Sequence, residues 1–239
     1  MNLIQQECVN RGITRICHFT QSRNLAHIFD DPLGLCSTRT LQQHDMPHNP
    51  TDPSRYDGRD DLLCCSIDYP NTYYFTTVRD RDHLFKDWVV LMIEPSYLWH
   101  PETCFCPCNA SREHGRYIQA GINGLHSLYA PISPGFPAYT RSARHLPSAP
   151  TDIQAEVLLK DPIPLDSIIG IAVHTEEQAR REICRLELQG ITLDKPIYIA
   201  PDFFNKASLS RLIQRGVRAT ETRYDNGGLH GRYPPEKTQ

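Results

Sequence analysis

Short apolar runs punctuated by turn residues set the pattern of this chain. Trp88-Val89-Val90-Leu91-Met92-Ile93, stopped by Pro95, is the clearest core strand. The same reading places strands over Gly12–Phe19, Asp61–Asp68, Ile168–Val173 and Lys195–Ala200. Ala155-Glu156-Val157-Leu158-Leu159 reads as another buried strand, one that carries a carboxylate. Helical spacing recurs at Leu25, Ile28 and Phe29, with Thr20 or Ser22 as cap, and at Leu209, Leu212 and Ile213 of the basic segment Lys206–Arg215. Thr175–Gln189 is a helix capped by Thr175 and stopped by Gly190. Arg116–Tyr129 is a helical candidate interrupted by Gly121 and Gly124, and Ser96–Trp99 a short helical turn. Thr72-Tyr73-Tyr74-Phe75 opens an ordered segment with an aromatic face, whereas Cys104–Asn109 is irregular or extended. Ser37–Asp61 and the Pro-rich Pro131–Pro150 have no period and read as long loops, a length that is often functional. Many short strands with few helices predict an α+β fold on a mostly antiparallel or mixed sheet.

Composition narrows this picture only slightly. In 239 residues, 39% hydrophobic and 22% charged residues fit one folded domain over 1–239. A net charge of −3 gives no global attraction to nucleic acid, but Phe203–Gln239 holds seven basic against three acidic residues. That basic tail, with Tyr224 and Tyr233, suits either a phosphate backbone or a solvated face. The first 17 residues lack a signal-type apolar core and no run reaches membrane-spanning length, so a cytoplasmic protein is expected. Nine scattered cysteines then read as reduced thiols. His100 with Cys104, Cys106 and Cys108 is a candidate zinc cluster, but its one-residue spacing is not that of zinc knuckles, and no metal is expected. Dinucleotide-fold glycine motifs, P-loops and serine elbows are all absent.

The candidate chemistry lies elsewhere. A Glu within a core strand is costly unless it is paired or faces a cleft, and Gln154, two residues earlier, falls on the same strand face as Glu156. His18 ends a strand just before a helix N-terminus, where free backbone N–H groups suit anionic or carbonyl ligands. Either Arg55 or Arg59 has the planar fork for a phosphate. The basic residues Arg141, Arg144 and His145 lie in the Pro-rich loop that leads straight into the Glu156 strand. Each also has a plain structural reading: a strand-end Glu paired with Arg, a core His, local Arg–Asp pairs, a connecting loop.

Five segments occur together in order: Cys17-His18-Phe19-Thr20 with Asn24-Leu25; Ser54-Arg55-Tyr56-Asp57-Gly58; Cys65-Ser66-Ile67-Asp68-Tyr69-Pro70-Asn71; Trp88-Val89-Val90-Leu91 with Pro95–Trp99 and Cys106–Ala110; and Pro150–Leu158. Over about residues 13–173 they resemble the DarT family of nucleic-acid ADP-ribosyltransferase toxins. That resemblance implies an ADP-ribosyltransferase-like split, mainly antiparallel β core with surrounding helices. It implies mono-ADP-ribosyl transfer from NAD+ to a nucleobase of single-stranded DNA, with release of nicotinamide and no metal. Carried over, His18, Phe19, Thr20 and Asn24 would hold NAD+, Tyr73, Tyr74 and Phe75 would form the nicotinamide wall with Tyr74 favoured, and Arg55 would contact phosphate and assist catalysis. Glu156 would be the catalytic carboxylate, and Arg141, Arg144, His145 and Gln154 would meet the acceptor. A cognate antitoxin, with an ADP-ribose-removing macrodomain as one candidate, is the implied protein partner. The competing expectations are the same chemistry on RNA (mRNA) or protein, a non-catalytic nucleic-acid-binding module, and a zinc-binding interaction protein.

Overall fold

A computed structural model describes residues 2–46, 55–82 and 84–225. In chain order the elements are α1 (Leu3–Arg11), β1 (Ile16–Gln21), α2 (Leu25–Asp30), α3 (Thr38–Gln43), β2 (Leu62–Ile67), α4 (Thr72–Arg81), β3 (Trp88–Ile93), β4 (Cys104–Cys106), β5 (Gln119–Ala120), α5 (Gly121–Ser127), β6 (Glu156–Lys160), β7 (Ile168–Val173), α6 (Glu176–Glu187), β8 (Ile197–Ile199), α7 (Lys206–Gln214) and β9 (Thr222–Arg223). The strands of the described residues form one sheet in the order β5-β4-β6-β2-β1-β3-β7-β8-β9. Neighbours are antiparallel except β7 and β8, which are parallel and joined through α6, the helical crossover that a parallel pair requires.

Helices cover the sheet, and β3 shows why its sequence is apolar throughout. Val89, Leu91 and Ile93 enter one core cluster, while Trp88, Val90 and Met92 enter the other. A strand buried on both faces has no polar positions in its alternation. The second cluster is an aromatic stack: Phe75 meets Phe19, Trp88 and Phe204 edge-on at 5.6 Å each.

Position in the middle of the sheet creates the cleft. The β1 strand pairs with β3 over its whole length, from Ile16↔Ile93 to Gln21↔Trp88. With β2 it pairs only at Ile16↔Ile67 and Cys17↔Ser66. Beyond that point β2 follows β6, from Cys65↔Val157 to Leu62↔Lys160, and the sheet splits between His18 and the Leu62–Cys65 segment.

Several expectations needed correction. The Ser37–Asp61 segment contains α3, with Ser37 capping the N–H of Thr40; the six residues of this helix include none that is buried, and hence no apolar period reveals it. Residues 47–54, including Ser54, lie outside the described residues, as do Tyr233 and the last basic residues Arg232 and Lys237. Neither Thr20 nor Ser22 caps α2: Thr20 belongs to β1, and its Oγ1 accepts from Asn24 Nδ2 at 2.9 Å. The helix expected over Arg116–Tyr129 is confined to α5, because Gln119 and Ala120 pair with β4 as β5 and the chain turns into the helix only at Gly121, whose φ is 72°. Among the described residues no helix is long and apolar enough to cross a membrane.

Candidate active site at the split in the sheet

The split opens into a cleft. Its lining includes His18, Phe19 and Thr20 of β1 with Asn24 before α2, Cys64 of β2 with Arg55 and Asp57 from the loop before it, and Asn71, Tyr74, Asn109 and Glu156.

His18 spans the split. Its Nδ1 lies 2.9 Å from the carbonyl oxygen of Cys64, a group left without a ladder partner where β1 and β2 part. A carbonyl only accepts, so Nδ1 carries the proton and Nε2 is left as an acceptor. Burial lowers the pKa of the ring, which keeps it neutral.

Glu156 begins β6 opposite Cys106 and is 7% exposed. Asn109 Nδ2 donates to its Oε1 at 2.8 Å, and Asn71 Nδ2 reaches the same atom at 3.5 Å. Burial pushes the carboxyl up to about 8, and the charge of Asp57 acts in the same direction. The backbone N–H of Ala110 and the guanidinium of Arg55 oppose the rise. The Cys64 thiol beside it is a poor nucleophile: burial, then the neighbouring Glu156 carboxylate, pushes it well up.

Arg55 reaches the cleft from a backbone with φ of 37°. Its fork is already engaged. Nε and Nη2 donate to the two carboxylate oxygens of Asp57 at 3.0 and 2.8 Å, and Nη1 donates to the Leu62 carbonyl at 2.9 Å. Nη2 also donates to the Arg59 carbonyl. Among the described residues four of the five guanidinium N–H groups have partners, which leaves one on Nη1 for a ligand unless Asp57 lets go. Arg59 pairs with Asp61 at 3.1 Å and does not line the cleft.

The three consecutive aromatics lie on a helix, so they point in three directions. Tyr74 lines the cleft edge-on to Phe19 at 6.2 Å. Tyr73 faces Lys206, whose Nζ is 5.6 Å from its ring, and Phe75 is buried in the aromatic stack. Gln154 sits in the turn before β6 rather than on the strand, and its N–H is bound to Asp152 Oδ1. Arg141 donates to the carbonyls of Ala149, Leu146 and Pro147, and His145 bonds the carbonyl of Pro150, so both stitch the Pro-rich loop to itself. Exposed Arg144 lies on the same loop; neither it, Arg141, His145, Gln154 nor Tyr73 lines the cleft. Asn71, Asn109 and Asp57 also line the cleft; they lie within the sequence motifs, but a neutral amide or an Asp beside an Arg carries no periodic signal that would assign it a role. The described residues contain no group of three or more His, Cys, Asp or Glu side chains placed to hold a metal.

A buried carboxyl, a neutral histidine acceptor, an arginine and a tyrosine face one elongated cleft. This set can stabilise a cation as it forms and accept a proton beside it. Comparison with curated protein sequences gave no match. Among solved structures, Thermus sp. 2.9 DarT in complex with NAD+ aligns with a TM-score of 0.57 at 15% identity, covering 80% of this chain and 97% of that one. The same protein in complex with ADP-ribosylated ssDNA aligns at 0.54 with 13% identity, covering 81% and 97%. Thermosipho africanus DarTG in complex with ADP-ribose aligns at 0.55 with 14% identity over 80% of this chain, which spans about half (51%) of that one. These likenesses match the split, mainly antiparallel fold. The family model for DarT, the ssDNA thymidine ADP-ribosyltransferase, matches residues 17–205, and the chain therefore belongs to the DarT family.

Proposed function

We propose that this chain transfers one ADP-ribose from NAD+ to a thymidine base of single-stranded DNA and releases nicotinamide. The observation that carries this reading is the buried Glu156 carboxyl in the same cleft as His18, Tyr74 and Arg55. The bond from the ribose anomeric carbon to the nicotinamide nitrogen breaks, and its electron pair leaves with neutral nicotinamide. The anomeric carbon then bonds to the acceptor nitrogen. A thymidine base has a single ring N–H, and its proton passes to Glu156. Positive charge builds on the ribose as the first bond lengthens, so an ionised Glu156 stabilises the transition state more than the ground state. His18 Nε2 accepts from a ribose hydroxyl or the carboxamide, Thr20 and Asn24 border the same ribose, and Tyr74 with Phe19 walls the nicotinamide. Arg55 meets the pyrophosphate through its remaining N–H.

The base must be unstacked to reach this cleft, which favours a single strand. Support for its path comes from the Pro-rich loop, tied into a hairpin by the Ile132↔Thr140 bridge and the Ser133–Tyr139 hydrogen bonds. Its tip presents Phe136, 94% exposed, as a stacking platform. Phe136→Ala is expected to weaken binding of a thymidine oligonucleotide by about 5- to 100-fold, one lost base stack, in a fluorescence anisotropy titration. An antitoxin that removes ADP-ribose by macrodomain chemistry, and a cytoplasmic setting, belong to the same proposal.

The test incubates labelled NAD+ with single-stranded DNA, duplex DNA, RNA and protein extract. Label is expected on thymidine-containing single strands alone. Label confined to RNA or to protein would replace the acceptor in this reading, and label on none of them would leave only a binding module.

A further inference from the structure

The transfer chemistry uses Glu156 but leaves aside the amides that grip it. Asn109 and Asn71 approach one carboxylate oxygen, Oε1, at 2.8 and 3.5 Å. Each amide is oriented by its own other end. Asn71, 3% exposed, is the N-cap of α4, and its Oδ1 accepts the Tyr74 N–H at 3.0 Å. Asn109 Oδ1 accepts the Ser111 N–H at 3.1 Å. With each oxygen committed to a backbone N–H, each NH₂ is the end turned to Glu156, and an NH₂ can only donate.

We propose that Asn109 and Asn71 are positioning residues for transfer: they pin Oε1 of Glu156, fix the rotation of its carboxyl, and favour its ionised form. Through Asn71 the carboxyl is also tied to the first turn of α4, the turn that carries Tyr74. The inference rests on Glu156 serving the reaction, so its test includes a readout that needs no turnover. Other groups also face this carboxyl. They are Arg55 and Asp57 from the loop before β2, Cys64 and Cys65 of β2, Cys106 of β4, and Cys108 with the Ala110 N–H after it. None of these is changed by the variants below.

Asn109→Ser and Asn71→Ser each keep an oxygen for the local backbone N–H and lose the amide donor. The readout is the carboxyl carbon resonance of Glu156 in protein labelled at glutamate, identified by its loss in Glu156→Gln. Losing a donor to the charged form should raise the titration midpoint, more for Asn109→Ser than for the longer Asn71 contact. The expected result is about tenfold less carboxylate at any pH below the midpoint in Asn109→Ser, with kcat lower by the same factor there. The gap should close at alkaline pH while KM for NAD+ holds within about twofold, which a general loosening of the site would not produce. If Asn109→Ser does not fold, the Asn71→Ser titration decides alone. An unchanged Glu156 midpoint in the folded variants overturns the inference even if transfer is intact. Transfer that survives Glu156→Gln overturns the catalytic reading instead, and the positioning role with it.

Discussion

Glu156→Gln should abolish transfer and, at alkaline pH, stabilise the fold. In the proposed reaction, loss of the carboxylate removes charge stabilisation of the ribosyl cation and the proton acceptor, a fall of about 10²–10⁴ in kcat. The stability effect follows from burial. Glu156 titrates near 8 in the folded protein against a usual 4.5. Between those values the native state keeps a proton that the unfolded chain has released. Stability therefore falls as pH rises through that window, and the full cost is reached above about 8. Glutamine is neutral throughout and escapes it. The melting temperature of Glu156→Gln should match wild type near pH 4.5 and exceed it increasingly up to pH 8.5, a gain on the order of a few kcal/mol. A gap that does not widen with pH would mean that Glu156 is ionised at rest.

Arg55→Ala should be the most damaging substitution in the cleft, and Asp57 is the reason. The Asp57 side chain is 2% exposed and held by both arms of the Arg55 fork. Removing the guanidinium strands a buried carboxylate beside a second carboxyl, at a cost of about 3–5 kcal/mol. Glu156 also loses the cation that opposes its rise, so less of it is ionised at neutral pH. Arg55→Lys should recover only part of this, since a point charge cannot bridge both Asp57 oxygens. Chemical denaturation of the double variant Arg55→Ala with Asp57→Ala separates the two effects: it should be more stable than Arg55→Ala alone, because no unpaired charge remains. If the double variant were the weaker of the two, the pair would be acting through packing, not charge.

Much of this was legible in the sequence where burial leaves a periodic or compositional mark. The six apolar residues of β3 could hardly be anything but a central strand, and Thr175 and Gly190 bracket α6 within a few residues. Glu156 and Arg55 stood out because charge in apolar or motif-bearing surroundings is conspicuous. What stayed hidden has no such mark. Thr72–Phe75 carries three aromatics in a row, a pattern with no helical period, and the informative residue was Asn71, whose side chain caps the helix. The turn over Asp152–Ala155, closed by Asp152 Oδ1, removes Gln154 from the strand alternation that would have set it beside Glu156. The engagement of Arg55 by Asp57 depends on a loop with a left-handed φ, which spacing alone does not disclose.

The parting of β1 from β2 places two strand edges face to face inside the molecule. An edge normally lies at the rim of a sheet, open to other chains. Here each is backed by a complete ladder on its far side, β3 behind one and β6 behind the other. A ligand in the cleft beside them, the dinucleotide of the proposed function included, would meet backbone that is already ordered, so little conformational entropy remains to be lost there on binding. The ladders behind the two edges thus remove one cost of binding before any ligand arrives.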